Sequence, residues 1–225
     1  MKLAVRFAAI LFLVGLVFTA TLSAQKVELY PNAGGYFPMR MEGFNKFKSD
    51  GIYGLKGGVF VGENAQIEGS FGYLNHFELK NPPNSFNPAF GVVQPTVFGM
   101  MYDVNGVYNF GKRQFLNSRI SPYVTAGIGG LTAEVRHANS TFIEGGGNVI
   151  DANGAVAPNP ARSIVMNDGD TFFTFNYGGG VKALNLWGPV GLRADVRGRT
   201  IPNFFGRTNT WPETTGGLVF SWGER

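Results

Sequence analysis

The segment Val190-Gly191-Leu192-Arg193-Ala194-Asp195-Val196-Arg197-Gly198-Arg199 alternates strictly. Val190, Leu192, Ala194 and Val196 share one face, and Arg193, Asp195, Arg197 and Arg199 share the other. A period of two marks a β-strand with one apolar side. The same parity recurs outward from this stretch. Around 96–110, Phe98, Met100, Tyr102, Val104 and Tyr108 oppose Asp103, Asn105 and Asn109, with Met101 and Val107 on the polar side. Around 171–186, Phe173, Phe175, Tyr177 and Val181 oppose Thr174, Asn176 and Lys182. Tyr53, Leu55 and Val59 oppose Lys56 in 51–62, and Ile67, Phe71 and Tyr73 oppose Glu68 and Ser70 in 66–76. With 26–37, 121–135, 190–203 and 214–222, eight strands are predicted, and convincing helical periodicity is absent.

The connections alternate in length. Residues 63–65, 111–120 and 187–189 are short or fairly short, whereas 38–50, 77–95, 136–170 and 204–213 are long. An up-and-down barrel in an outer membrane sorts its loops in this way, with short periplasmic turns and long external loops. Soluble sandwiches also contain hairpins, but rarely gather every long loop at one end.

Composition narrows the classes further. The chain has 225 residues, 33 Gly, 14% aromatic and only 15% charged residues, which argues against a helical bundle or a disordered acidic chain. The absence of Cys excludes a disulfide scaffold, thiolate-bound zinc, a Cys nucleophile and a lipidated Cys. Lys2 and Arg6 precede an apolar run, Phe7–Thr19, and the small-residue zone Ala20–Ala24, the layout of a secretory signal. The run is short for a spanning helix, which needs about 20 residues. We expect cleavage after Ala24, giving a signal peptide over 1–24 and one barrel domain over 25–225. Without Lys2 and Arg6, 17 basic side chains face 15 acidic ones, so no basic stripe suggests nucleic acid as a partner.

Two closures of such a sheet are possible. A soluble carrier barrel turns the apolar face inward, and a membrane barrel turns it toward lipid. The aromatics discriminate. Tyr53, Tyr73, Phe98 and Phe173 fall toward the long-loop end, and Tyr108, Phe110, Trp187 and Trp222 toward the short-turn end of the same face. Two bands flanking an aliphatic middle match interfacial girdles. The inward set then holds Lys56, Lys182, Arg193, Arg197 and Arg199 with Glu68, Asp103 and Asp195. Eight strands enclose a space that side chains can fill, and charges confined there must pair. A salt-bridge network plugging the lumen is expected, with Gly54, Gly58, Gly178, Gly180 and Gly191 making room for it.

Four stretches carry a family resemblance: Tyr102–Phe110, Pro122–Gly130, Phe175–Lys182 and Leu192–Arg197. They resemble strands of the OmpA-like outer-membrane β-barrel proteins. The resemblance implies an eight-stranded antiparallel up-and-down transmembrane barrel, inserted by the barrel assembly machinery among outer-membrane lipid and lipopolysaccharide. It departs from the family pattern in lacking a peptidoglycan-binding domain and in continuing past Trp222 to Gly223-Glu224-Arg225.

Catalytic and metal constellations are weak. Small outer-membrane barrels that modify lipid A use a His and a Ser, so His76 and His137, the latter near Ser140 and Glu144, keep an enzyme in view. An ordinary polar rim histidine explains them more simply. Asn167-Asp168-Gly169-Asp170 with Asp151 lacks the ligand spacing of a calcium loop and reads as a turn. Gly145-Gly146-Gly147 is not a phosphate loop, since no Gly-Lys-Ser/Thr follows. Asn139-Ser140-Thr141 is a glycosylation sequon on paper only. We therefore expect no enzyme, metal or cofactor. The expectation is a monomeric, plugged barrel with periplasmic termini, acting structurally or through its long loops. A passive pore, a lipid A-modifying enzyme and a soluble periplasmic carrier are the alternatives.

Overall fold

The computed structural model describes residues 26–39, 47–78, 96–110, 113–115, 118–136, 138–144, 148–150, 156–158 and 164–223. The predicted signal peptide, His137, Asp151 and the Gly145–Gly147 run lie outside them. Among the described residues, thirteen strands form in chain order. They are β1 (Val27–Tyr36), β2 (Asp50–Phe60), β3 (Ala65–Leu74), β4 (Thr96–Asn109), β5 (Arg113–Phe115), β6 (Ser118–Arg136) and β7 (Ser140–Glu144). β8 (Asn148–Ile150), β9 (Val156–Pro158), β10 (Ile164–Asn167), β11 (Thr171–Trp187), β12 (Val190–Phe204) and β13 (Arg207–Trp222) follow.

Eight of them, β1–β4, β6 and β11–β13, pair antiparallel with their neighbours, and β13 returns onto β1 from Val27↔Trp222 to Tyr36↔Glu213. The ring is closed. Closure pairs the backbone polar groups around the ring and leaves no sheet edge exposed. β5 adds a short strip beside β6, from Arg113↔Ile120 to Phe115↔Ser118, within the predicted 111–120 turn.

Parity decides which residues face in. Lys56, Glu68, Asp103, Lys182, Arg193, Asp195, Arg197 and Arg199 are all buried, while Leu55, Val104, Val181, Leu192 and Val196 on the other parity are exposed. The soluble carrier alternative, which needs the apolar face inward, fails on this arrangement.

Two loop expectations are corrected. The predicted 204–213 loop is a two-residue turn, Phe205-Gly206, and β13 begins at Arg207. Both turn residues have positive φ, 52° and 81°, as a type I′ hairpin requires. Phe205 tolerates this geometry because its ring packs on Phe172 and Phe204, both at 5.0 Å. The hairpin was illegible because the turn lacks the usual Asn-Gly or Asp-Gly pair. The 136–170 excursion also contains strands: β7 pairs with β10, and β8 with β9. At the opposite end, Gly188, with φ 64°, supplies the tight Trp187–Val190 turn expected there.

Candidate functional site

The interior of the barrel is the candidate site, and it is stratified. Nearest the short turns, Lys182 Nζ donates to Glu28 Oε2 at 2.6 Å and to Gln66 Oε1 at 2.9 Å. Gln66 Nε2 returns a bond to the same carboxylate at 3.3 Å, and Lys26 approaches its other oxygen at 3.3 Å. Phe60 lies under both ammonium groups.

The middle layer joins three cations to two carboxylates. Glu68 accepts from Arg193 Nη1 at 2.5 Å and from Arg197 Nη2 at 2.8 Å. Asp195 accepts from Lys56 Nζ, from Arg193 Nε at 3.1 Å and from Arg197 Nη2 at 3.5 Å. The Arg193 guanidinium is also sandwiched between the rings of Tyr30 and Tyr123, at 4.6 and 4.7 Å. An aromatic face attracts a cation most strongly when it is desolvated, so the two rings supplement the carboxylates.

Above it, Arg199 grips Asp103 bidentately at 2.6 and 2.8 Å and reaches Glu213 at 2.5 Å and Thr174 at 3.1 Å. The planar fork of a guanidinium suits a carboxylate in this geometry. Ser70 Oγ donates to Asp103 at 2.9 Å. Trp211 Nε1 donates to Glu213 at 3.0 Å and begins the next layer.

That last layer is apolar. Tyr36, Ile52, Leu74, Met101, Leu131, Ile201, Phe204 and Trp211 are buried inside the long-loop end, with Phe47 and Phe77 stacked above at 4.6 Å. Sequence reasoning missed this cap. Its residues share the inward parity of the charges, so both faces of the strands become apolar there and alternation loses its sign. It also missed Glu28, although Val27-Glu28-Leu29 alternates, and Glu213, which fell inside the predicted loop.

The structure places all eight predicted inward charges inside the barrel, in three ion-paired layers. The predicted girdle residues occupy the opposite face. Tyr73 and Phe98 stack at 5.6 Å, Tyr108 meets Phe110 edge-on at 5.5 Å, and Phe220 stacks on Trp222 at 5.9 Å. Tyr53, Phe173 and Trp187 are exposed on that face. His76 sits at the long-loop rim, its Nδ1 2.5 Å from Asp50 and 3.0 Å from Asn75 Nδ2. Its backbone carbonyl accepts from the Tyr36 hydroxyl. Asp168 and Asp170 spend carboxylate oxygens on the backbone amides of Val135 and Asn167, at 3.0 and 2.8 Å, as turn residues do. Among the described residues no group of three or more His, Asp or Glu side chains is arranged to hold a metal ion.

A charged interior behind an apolar exterior is the inverse of a soluble domain, and comparison with known proteins agrees. A family model, the outer membrane protein beta-barrel domain, matches residues 9–216. This chain belongs to that family. Among solved structures, the outer-membrane protein OprG from Pseudomonas aeruginosa is 8% identical with a TM-score of 0.51, covering 89% of this chain and 97% of its own. Neisserial surface protein A is 13% identical with a TM-score of 0.50, covering 87% and 96%. Ail, the attachment invasion locus protein of Yersinia pestis, is 13% identical with a TM-score of 0.50, covering 89% and 100%. At these identities the likeness shows the fold alone. No curated protein matches the chain. Family and fold support an outer-membrane location for this barrel.

Proposed function

We propose that this outer-membrane barrel is a plugged, non-enzymatic envelope protein, acting structurally or through contacts made by its long loops. One observation supports the reading: buried, paired charges span the middle of the interior and an apolar cluster lies inside the long-loop end. Ions crossing it would have to displace guanidinium–carboxylate pairs and then pass a layer lined mainly by apolar side chains, where an unpaired charge costs several kcal/mol.

In this reading a signal peptide over 1–24 exports the chain, the assembly machinery inserts it, and both termini face the periplasm. The aromatic bands rest at the two membrane interfaces, among lipid and lipopolysaccharide, and the protein works as a monomer. The cap then lies on the external side, beneath the loops 38–50, 77–95 and 136–170. Phe47, Phe77 and Met166, at the described roots of these loops, pack into the cap. The name of Ail speaks of attachment and invasion; here a surface-contact role rests on the loops alone.

The test has two arms. The purified protein in planar bilayers is expected to give no stable large conductance, and steady channels would overturn the plug. Deleting 140–165 is expected to leave the heat-dependent gel shift intact while reducing adhesion of expressing cells to host or environmental surfaces. Unchanged adhesion would overturn the loop role.

A further inference from the structure

The top of the wall forks between β11 and β12. β11 keeps its pairing with β6 as far as Thr171↔Thr132, but its pairing with β12 stops at Phe175↔Thr200. Among the described residues, Ile201–Phe204 pairs with β13 alone, through Ile201↔Asn209 and Phe204↔Arg207. One residue accounts for the break. Ala133 N–H donates to the Asp170 carbonyl at 2.9 Å. Even-numbered residues of β11 therefore bond to β6 and odd-numbered ones turn to β12, because backbone groups of successive strand residues point to opposite neighbours. The register carried upward sets Phe173 against Pro202, and proline has no N–H to give to the Phe173 carbonyl.

On its other edge the same hairpin is held at its base. Met39 N–H donates to the Thr210 carbonyl at 3.4 Å, against 2.9 Å for Phe37 to Pro212 two residues below. Within itself the hairpin is tied. Asn203 Oδ1 accepts from the Gly206 amide at 2.8 Å, and Thr208 Oγ1 donates to the Pro202 carbonyl at 3.1 Å. Its outer face carries Thr200, Pro202, Thr208 and Thr210 rather than the aliphatic and aromatic residues of the wall below, so it stands at the aqueous edge.

Rings close the fork where the ladder does not. Phe172 of β11 lies 4.7 Å from Phe204 and 5.0 Å from Phe205 across the gap. Phe204 is fully buried and continues into the cap, 5.7 Å from Phe47 and 6.1 Å from Phe77. Phe205 holds φ at 52°, a left-handed conformation that disfavours a side chain, and its ring contacts offset that strain. Withdrawing the rings from Phe172 removes what holds the turn in this form. We propose that Ile201–Asn209 is a flap that swings as one body about its base, latched shut by Phe204 and Phe205 against Phe172. Opening withdraws Phe204 from the cap and uncovers the cap on the β11 side. Local opening as a unit requires a segment with few bonds to the rest of the fold, and the fork supplies one. The inference rests on strand register and not on closure to ions or on the long loops, so its outcome is separable from both arms of the test above.

The chain has no cysteine, so pairs of spin labels can be placed on the full-length protein in lipid nanodiscs. Thr171→Cys with Thr208→Cys spans the fork. Thr171→Cys with Met39→Cys spans the same side of the rim without the flap, and all three positions are exposed. Distances are read by double electron–electron resonance, on variants that keep the heat-dependent gel shift. Phe172→Ala, which removes the latch, is expected to raise the longer-distance fraction of the first pair at least twofold and to leave the second pair unchanged. Pro202→Val, which restores the missing N–H, is expected to act in the opposite direction and gather the first pair into one short distance. A first-pair distribution that neither substitution moves would overturn the inference. An effect of Phe172→Ala of equal size on both pairs would overturn it too, because the whole rim would then be fraying.

Discussion

Glu68→Gln is the sharpest perturbation of the interior, because it keeps the shape of a fully buried side chain and removes one charge. In the parent, Lys56, Arg193 and Arg197 face Glu68 and Asp195. The variant leaves three cations on one carboxylate. Arg193 Nη1 and Arg197 Nη2, now at 2.5 and 2.8 Å from Glu68 oxygens, would face an amide that can accept through only one atom. Breaking a buried pair by removing one partner costs about 3–5 kcal/mol, against a total stability for a domain of about 5–15 kcal/mol. The assay is the folded fraction in lipid vesicles over a urea series, read as the unboiled band on a gel. Glu68→Gln combined with Arg197→Met restores two cations to one carboxylate, the original excess, and is expected to recover more than half of the loss. A single variant within about 1 kcal/mol of the parent, below the range for a broken buried pair, would refute the account. A double variant no better than the single one would refute it too.

Three further outcomes follow from the geometry. Trp211→Ala removes a ring with no exposed surface and the bond to Glu213; it should cost about 3–5 kcal/mol in the same urea series and raise bilayer conductance above the parent. Gly206→Ala, at φ 81° in the β12–β13 hairpin, should cost about 1–2 kcal/mol of left-handed strain, with the gel shift retained at room temperature. Lys48→Ala removes the exposed pair with Glu78 at 3.1 Å and should change stability by less than about 1 kcal/mol, a difference that vanishes in high salt.

The fold was legible wherever one face of a strand was apolar and the other charged. In β12 every second residue from Arg193 to Arg199 declares its side, and the structure buries all four. Legibility failed where both parities turn apolar. On β4, Met101 and Val97 face in while Met100 and Phe98 face out, and nothing in the residue types separates them. It failed again at Phe205-Gly206, where packing rather than turn chemistry holds a left-handed phenylalanine. Glu213 was lost with that error, because its parity means nothing until β13 is known to start at Arg207. Which charge meets which could not be read at all: Lys56 and Asp195 are 139 positions apart, and only closure of β13 on β1 brings the second and seventh barrel strands to face each other across the interior.

The ion pairs do more for register than for net stability. Replacing a buried ion pair by well-packed apolar residues is often neutral or favourable, so the network need not have been retained for its energy. A one-residue slip of β12, however, would swap its faces and send Arg193, Arg197 and Arg199 into lipid. Each arginine near the bilayer midplane costs about 2–4 kcal/mol, so three cost roughly 6–12, comparable with the whole stability of a domain. The apolar cap offers no such discrimination, because Ile201 and its neighbours are tolerated on either face. Charges at mid-height therefore fix the pairing of every strand that contributes one, and the cap packs inside a barrel whose register is already set. That division explains why the charged layer is distributed over β1–β4 and β11–β13 rather than gathered on two strands. It also predicts that the Glu68/Arg197 double variant recovers stability more fully than it recovers a single, homogeneous folded band.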